Sequence, residues 1–188
     1  MTTSEPDFMA GDALLLVDVQ NDFLLGGSLA VPDANAVIPV LNDWLAVASK
    51  RSVPIYASRD WHPPGHASFR EQGGDWPPHC VQDTPGAAFA PDLALPPITE
   101  IVTKGTSVDH DAYSAFQETG LADRLREAGV GRLWIGGVAL DVCVRATCLD
   151  AREHGFQVGL IVKGTRPTEA GRGREALAEL EDAGVTLA

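Results

Sequence analysis

Cysteine is scarce in this 188-residue chain: there are three, Cys80, Cys143 and Cys148. An odd number, spaced as neither a zinc ribbon nor a C-x-x-C redox pair, excludes a disulfide-stapled scaffold and fits a reduced, cytoplasmic compartment. Basic residues are few as well, 14 Lys and Arg against 26 Asp and Glu, for a net charge of -12. Affinity for nucleic acid rests on clustered Lys and Arg that release counterions, so no nucleic-acid partner is expected, and the acidic excess serves solubility. Long apolar runs are missing too. No stretch approaches the roughly 18 consecutive apolar residues of a membrane span, and M-T-T-S-E-P-D-F-M-A-G-D has neither the basic nor the apolar region of a signal peptide. Neither secretion nor membrane contact is expected. The length suits one domain of about 100 to 200 residues, here 1–188, with a flexible lead over 1–12.

What is present is a regular alternation of short apolar runs and helical periods. Ala13 to Val19 is continuous and apolar, as in a strand covered on both faces. Val37, Val40, Leu41, Trp44, Leu45 and Ala48 lie at helical spacing within Ala34 to Lys50, and Val53 to Ser58 is a second strand. Residues 59–97 lose all period and are rich in Pro, Gly and His; so long a loop inside a compact domain is usually functional. Regular structure resumes with strands at Ile98 to Thr103, Leu133 to Val138, Phe156 to Val162 and Val185 to Leu187. Helices are predicted at Leu121 to Ala128, Asp141 to His154 and Thr168 to Ala183. Six strands alternating with helices predict an α/β fold: a three-layer α/β/α, doubly wound, mainly parallel six-stranded sheet. Ligands in such sheets bind outside the carboxyl ends of the strands, where strand order reverses. Asp18, Asp60 with His62, Lys104 and Cys143 all follow strands, so they should converge on one crevice.

The chemistry expected there comes from three groups. Asp141 is placed to cap the helix after the fourth strand, which puts Cys143 in its first turn, where free N–H groups and the helix dipole favour thiolate. A small apolar core role for that cysteine is the alternative. Asp18 ends a buried strand, where a carboxylate needs a partner, and Lys104 offers one. A Lys beside a Cys stabilises thiolate, and a nearby carboxylate can take the thiol proton. Within the long loop, Asp60 and His62 point the same way on an extended chain and His79 can return as a third ligand, leaving the open position of a catalytic site for zinc, iron or manganese. His66 could ligate as a fourth or hydrogen-bond to a ligand instead.

The blocks L-L-L-V-D-V-Q-N-D-F, R-D-W-H-P-P-G-H-A-S-F, W-P-P-H-C-V-Q-D, D-A-Y-S-A-F and G-G-V-A-L-D-V-C-V, in this order between Ala13 and Val162, resemble the nicotinamidase branch of the isochorismatase-like cysteine hydrolases. The resemblance implies that fold, and a triad of Asp18, Lys104 and Cys143. It implies one divalent metal, zinc first, on Asp60, His62 and His79. A cis peptide between Val138 and Ala139 would present the N–H groups of Ala139 and Cys143 as an oxyanion hole. Phe23 and Trp76 would sandwich a pyridine ring, with Tyr113 and Ala139 also lining the pocket. The implied reaction converts nicotinamide to nicotinate and ammonia in pyridine nucleotide salvage, and a homo-oligomer is left open. Leu140 and Val142 depart from the Thr and the aromatic or His of many relatives, which bears on pocket shape. Two rivals remain: another small-amide or carbamoyl hydrolase of the same fold, and a thiol redox sensor using Cys143 with Cys80 or Cys148.

Overall fold

A computed structural model describes residues 6–188. Six strands form one sheet: β1 (Asp12–Val17), β2 (Ile55–Asp60), β3 (Glu100–Lys104), β4 (Arg132–Val138), β5 (Gln157–Arg166) and β6 (Thr186–Leu187). Their spatial order is β3-β2-β1-β4-β5-β6, and every neighbouring pair is parallel. The period-2 alternation of strands splits the core in two. Ala13, Leu15 and Val17 face one layer, and Leu14 and Leu16 face the other. On the second face lies α1 (Val37–Lys50), docked through Leu41, Leu45 and Ala48. The first face carries α2 (Leu121–Glu127), α3 (Arg145–Glu153) and α4 (Ala170–Asp182), through Leu125, Ala151 and Leu180 among others. The predicted three-layer, doubly wound architecture is therefore what forms.

The chain leaves β1 outward through β2 and β3, then returns to the opposite side for β4, so strand order reverses between β1 and β4. A crevice opens at that reversal, beyond the carboxyl ends of both strands. Gly137 marks how tightly the two strands meet there: a Cβ on it would lie 2.0 Å from the Val17 carbonyl oxygen, and its φ is +129°. No other residue type fits that position.

Most element ends shift by a few residues, β2 for one running on to Asp60, and three boundaries differ in kind. The flexible lead expected over 1–12 falls partly on residues 1–5, outside the described residues, but its far end is ordered: Phe8 is buried edge-on against Trp44, and Asp12 already belongs to β1. The fifth strand continues past Val162 to Arg166, because a register shift between Ile135 and Gly137 lets β5 bulge and resume pairing. The helix expected over Asp141 to His154 begins instead as a π-helical turn, Leu140–Val144, which passes into α3.

Candidate active site

Four of the six strands, β1 to β4, each deliver a charged or nucleophilic group to the crevice at or beyond their carboxyl ends. Asp18, the residue after β1, turns the chain with a φ of +51° and is fully buried. Left-handed backbone at a non-glycine residue carries strain that functional sites often hold. Ser58 Oγ donates to its Oδ1 at 2.7 Å, while its Oδ2 lies 2.9 Å from Lys104 Nζ without accepting an aligned hydrogen bond. Lys104, the last residue of β3, is buried along its whole length. Its ammonium also donates to the Asp60 carboxylate and to the Ala112 carbonyl at 3.0 Å, and stands 3.8 Å from Cys143 Sγ. Atoms of Asp18, Asp60 and Cys143 lie within 4.8 Å of one another. All four strand ends converge, as the topology predicts.

Burial governs the protonation of this cluster. It pushes the Asp18 carboxyl above its ordinary value despite the pull of Lys104. Lys104 stays an ammonium: burial opposes its charge, but Asp18 and Asp60 on either side raise it well above the usual lysine value. Cys143 is also raised, because desolvation outweighs Lys104 and the two carboxylates add to it. Burial thus opposes the thiolate that the helix start and Lys104 were expected to favour. Asp141 corrects an expectation. It makes no cap hydrogen bond; its Oδ1 accepts from the Thr168 N–H at 2.7 Å and its Oδ2 from the Thr168 hydroxyl.

The long loop supplies a second constellation beside the first. His62 Nδ1 lies 3.0 Å from the Gly105 carbonyl and His79 Nδ1 lies 2.8 Å from that of Pro77. A carbonyl can only accept, so both protons sit on Nδ1 and both Nε2 lone pairs remain free. His62 Nε2 is buried with no hydrogen-bond partner, and burial with two neighbouring histidines lowers its pKa to about 3, keeping the ring neutral. Ligand atoms of Asp60, His62 and His79 lie within 4.8 Å of one another. Two neutral imidazole nitrogens and a carboxylate suit a divalent transition metal, so these residues could hold one. Gly105, at φ +64°, is required by the packing: a Cβ there would sit 2.6 Å from His62 Cε1. His66 differs. Its Nε2 donates to the His110 carbonyl at 3.1 Å and its Nδ1 pairs with Ser68 Oγ at 2.7 Å, so both ring nitrogens are engaged.

Beside the two constellations lies a cavity of about 150 Å³, walled by Phe23, Trp76, Tyr113, Ala139, Val142 and Cys143, with Asp60, His79 and Asp111 at its polar side. That volume suits a molecule of one small ring, well under a drug-sized site of about 300 Å³ or more. Trp76 Nε1 donates to the Tyr113 hydroxyl at 3.1 Å, joining two loops beside the cavity. The Val138–Ala139 peptide is cis, and the Ala139 carbonyl accepts from the N–H groups of Val142 and Val144. Of the two departures from the resemblance, only Val142 lines the cavity; Leu140 is buried in the helix-side core. Leu140 thus has no bearing on pocket shape by direct contact.

Several contributors had no assigned role in the sequence. Gln20 is buried, and its amide donates to the Asp60 and Ala87 carbonyls and accepts from the Asp60 N–H, all at 2.8 Å. Its place two residues after Asp18, inside V-D-V-Q-N-D-F, was the available signal. Ser58 and Asp111 carried none, since a lone Ser in a strand and a lone Asp in a loop are ordinary.

The chain matches the isochorismatase domain over residues 12–188. It is 38% identical to the nicotinamidase of Escherichia coli K12, over 93% of each chain. Among solved structures, the pyrazinamidase of Pyrococcus horikoshii in complex with zinc superposes with a TM-score of 0.93 at 44% identity, covering 95% of this chain and 98% of that one. PnC1 from L. infantum in complex with nicotinate gives a TM-score of 0.86 at 40% identity, covering 94% of this chain and 91% of that one.

Proposed function

This chain belongs to the isochorismatase domain family, and from that premise we propose that it is a nicotinamidase, an amidohydrolase that converts nicotinamide to nicotinate and ammonia in pyridine nucleotide salvage. The observation that carries this reading is the joining of two constellations beside a one-ring cavity: Asp18, Lys104 and Cys143, and, linked to them through the Asp60–Lys104 contact, Asp60, His62 and His79. The similarity to nicotinamidases over nearly the whole chain supports it independently.

In this mechanism Cys143 Sγ–H gives its proton to the Asp18 carboxylate, and the thiolate, steadied by Lys104, attacks the carboxamide carbon. The N–H groups of Ala139 and Cys143 receive the oxyanion; one such donor is typically worth about 10² to 10³ in rate. Asp18 returns the proton to the departing ammonia, leaving a thioester on Cys143. It then takes a proton from the water that hydrolyses the thioester and passes it to Cys143 as the sulfur departs, which restores thiol and carboxylate. The raised carboxyl of Asp18 suits both acid and base duty. Phe23 and Trp76 hold the ring, with Tyr113 and Ala139 at the walls. Asp60, His62 and His79 would hold a divalent ion, zinc before iron or manganese, which would supply a Lewis-acid site for the ring nitrogen.

Three free, buried cysteines fit a reduced cytoplasmic setting, and among the described residues no helix is long and apolar enough to cross a membrane. The same cysteines disfavour the redox sensor, since burial raises the thiols of Cys80 and Cys148 and neither is exposed to resolve an oxidised Cys143. Ammonia release from nicotinamide, abolished in Cys143→Ala, tests the proposal. Benzamide, which keeps the carboxamide and lacks the ring nitrogen, should be at least about 10²-fold poorer in kcat/KM. Absence of nicotinamide turnover by protein of verified zinc content would overturn the reading, and equal turnover of the two amides would overturn the role given to Asp60, His62 and His79.

A further inference from the structure

The nucleophile turn has an anchor outside itself. Asp141 stands two residues before Cys143, yet its carboxylate points away from the helix it might have capped and grips Thr168, taking both the backbone N–H at 2.7 Å and the hydroxyl. Thr168 lies just beyond β5, before α4, and lines the same cavity as Cys143. An apolar contact runs beside this polar one. A Cβ placed on Gly173 would lie 2.8 Å from Pro167 and 3.7 Å from Leu140 Cδ2, so the neighbours of Thr168 and Asp141 meet across a surface that admits only glycine. By contrast, the turn is internally loose in one respect: no side chain caps it, and the Ala139 carbonyl accepts two N–H groups where a regular helix start would give it one.

We propose that Asp141 and Thr168 are positioning residues for catalysis: their bond fixes the rotation of the turn 139–144, and so aims Cys143 Sγ and the Ala139 and Cys143 N–H groups at the carbonyl of the substrate. This rests on the proposed role of Cys143 as nucleophile. Neither residue exchanges protons with the amide. Their effect passes through the backbone, where a displacement of about 1 Å can cost on the order of 10² in rate. The β5 bulge acquires a purpose in this account, since it lengthens the strand until Pro167 and Thr168 reach the rim.

The test uses the zinc-loaded full chain and four variants, with Cys143→Ala as the control. Asp141→Ala removes both acceptors and should lower kcat about 10- to 100-fold with KM changed less than about 3-fold, and should slow alkylation of Cys143 by iodoacetamide. Thr168→Val removes the hydroxyl but keeps the N–H donor, so an intermediate loss is expected. Asp141→Asn retains an acceptor for that N–H, and Thr168→Ser retains both donors; each should recover most of kcat. Thermal unfolding checks that the variants are folded at the assay temperature. Unchanged kcat in both Asp141→Ala and Thr168→Val would overturn the proposal, as would a loss that follows the unfolded fraction alone or that Thr168→Ser shares in full. Retained activity in Cys143→Ala would instead overturn the nucleophile on which the proposal rests.

Discussion

β1 carries an aspartate at each end, and the protein treats the two in opposite ways. Asp12, at its start, is buried and saturated: Arg132 donates from both Nε (2.8 Å) and Nη2 (2.5 Å), Trp134 Nε1 donates at 3.2 Å, and the Met9 N–H at 2.8 Å. Burial alone would raise its pKa, but these donors together bring it below the ordinary value. Asp18, beyond the other end, has one aligned donor, Ser58, and faces a second carboxylate and a thiol. Burial wins there and the pKa rises. The same side chain at the two ends of one strand, shallow at one and deep at the other, therefore gives a fixed charge at one rim and an exchangeable proton at the other. What separates a structural carboxylate from a reactive one here is how deeply it is desolvated, which charges surround it and how many donors are aimed at it.

Exchanging each for its isosteric amide would break the comparison most sharply. Asp18→Asn should lower kcat about 10² to 10⁴-fold, the usual worth of a positioned acid or base, while folding is kept. Ammonia release at saturating nicotinamide measures it, and a loss of only a few-fold would place the base elsewhere. Next in size, Gly105→Ala forces a Cβ against His62 and should weaken zinc binding roughly 10- to 100-fold, read by competition with a chelator. Unaltered zinc affinity would show that His62 is not held for a metal.

A smaller effect sharpens the contrast directly. Ser58→Ala removes a hydrogen bond that, together with Lys104, pulls the Asp18 pKa down, so that pKa should climb further. Since the mechanism starts from the carboxylate, activity should be lost at a higher pH on the acid side than in the parent, visible as a shifted acid limb of kcat/KM; an unmoved limb would assign it to another group. Asp12→Asn should do the reverse of Asp18→Asn, leaving turnover within about 2-fold because the site is remote. It should still cost about 2 kcal/mol of stability at neutral pH, as a charged hydrogen-bonded group is replaced. Because the folded pKa of Asp12 lies below its ordinary value of 3.8, its stabilisation is complete above that value and lost as pH falls through the lowered one. Urea unfolding curves of parent and variant should therefore converge in strong acid and separate as pH rises.

Legibility in the sequence followed the range of the forces involved. The apolar runs at β1 and β4 and the helical period of α1 are local, and they sufficed to set the layers and to send Asp18, Asp60, Lys104 and Cys143 to one rim. Ligand spacing at Asp60 and His62 was visible because residues two apart in extended chain share a side. What escaped was decided by partners far along the chain. Asp141 had the sequence of a cap, and only the arrival of Thr168, 27 residues later, diverted it. Which nitrogens of His62 and His79 stay free depends on the carbonyls of Gly105 and Pro77. The Cys143 thiol is a related case: the dipole of a helix start is local, but the desolvation that opposes it comes from the whole fold.

The central place of β1 has a consequence during synthesis. It leaves the ribosome before the other five strands, yet its partner on one side, β4, follows some 120 residues later, as the Asp12–Arg132 pairing records. Until β4 emerges, a nascent chain can complete only the β2 and β3 half of the sheet, and one flank of its most apolar strand has bare N–H and C=O groups. During that interval the chain offers an unpaired edge that chaperones or other unfinished chains can bind, and the segment that closes it is the one that brings Cys143. Covering the vulnerable edge and assembling the reactive crevice are thus late steps of the same event.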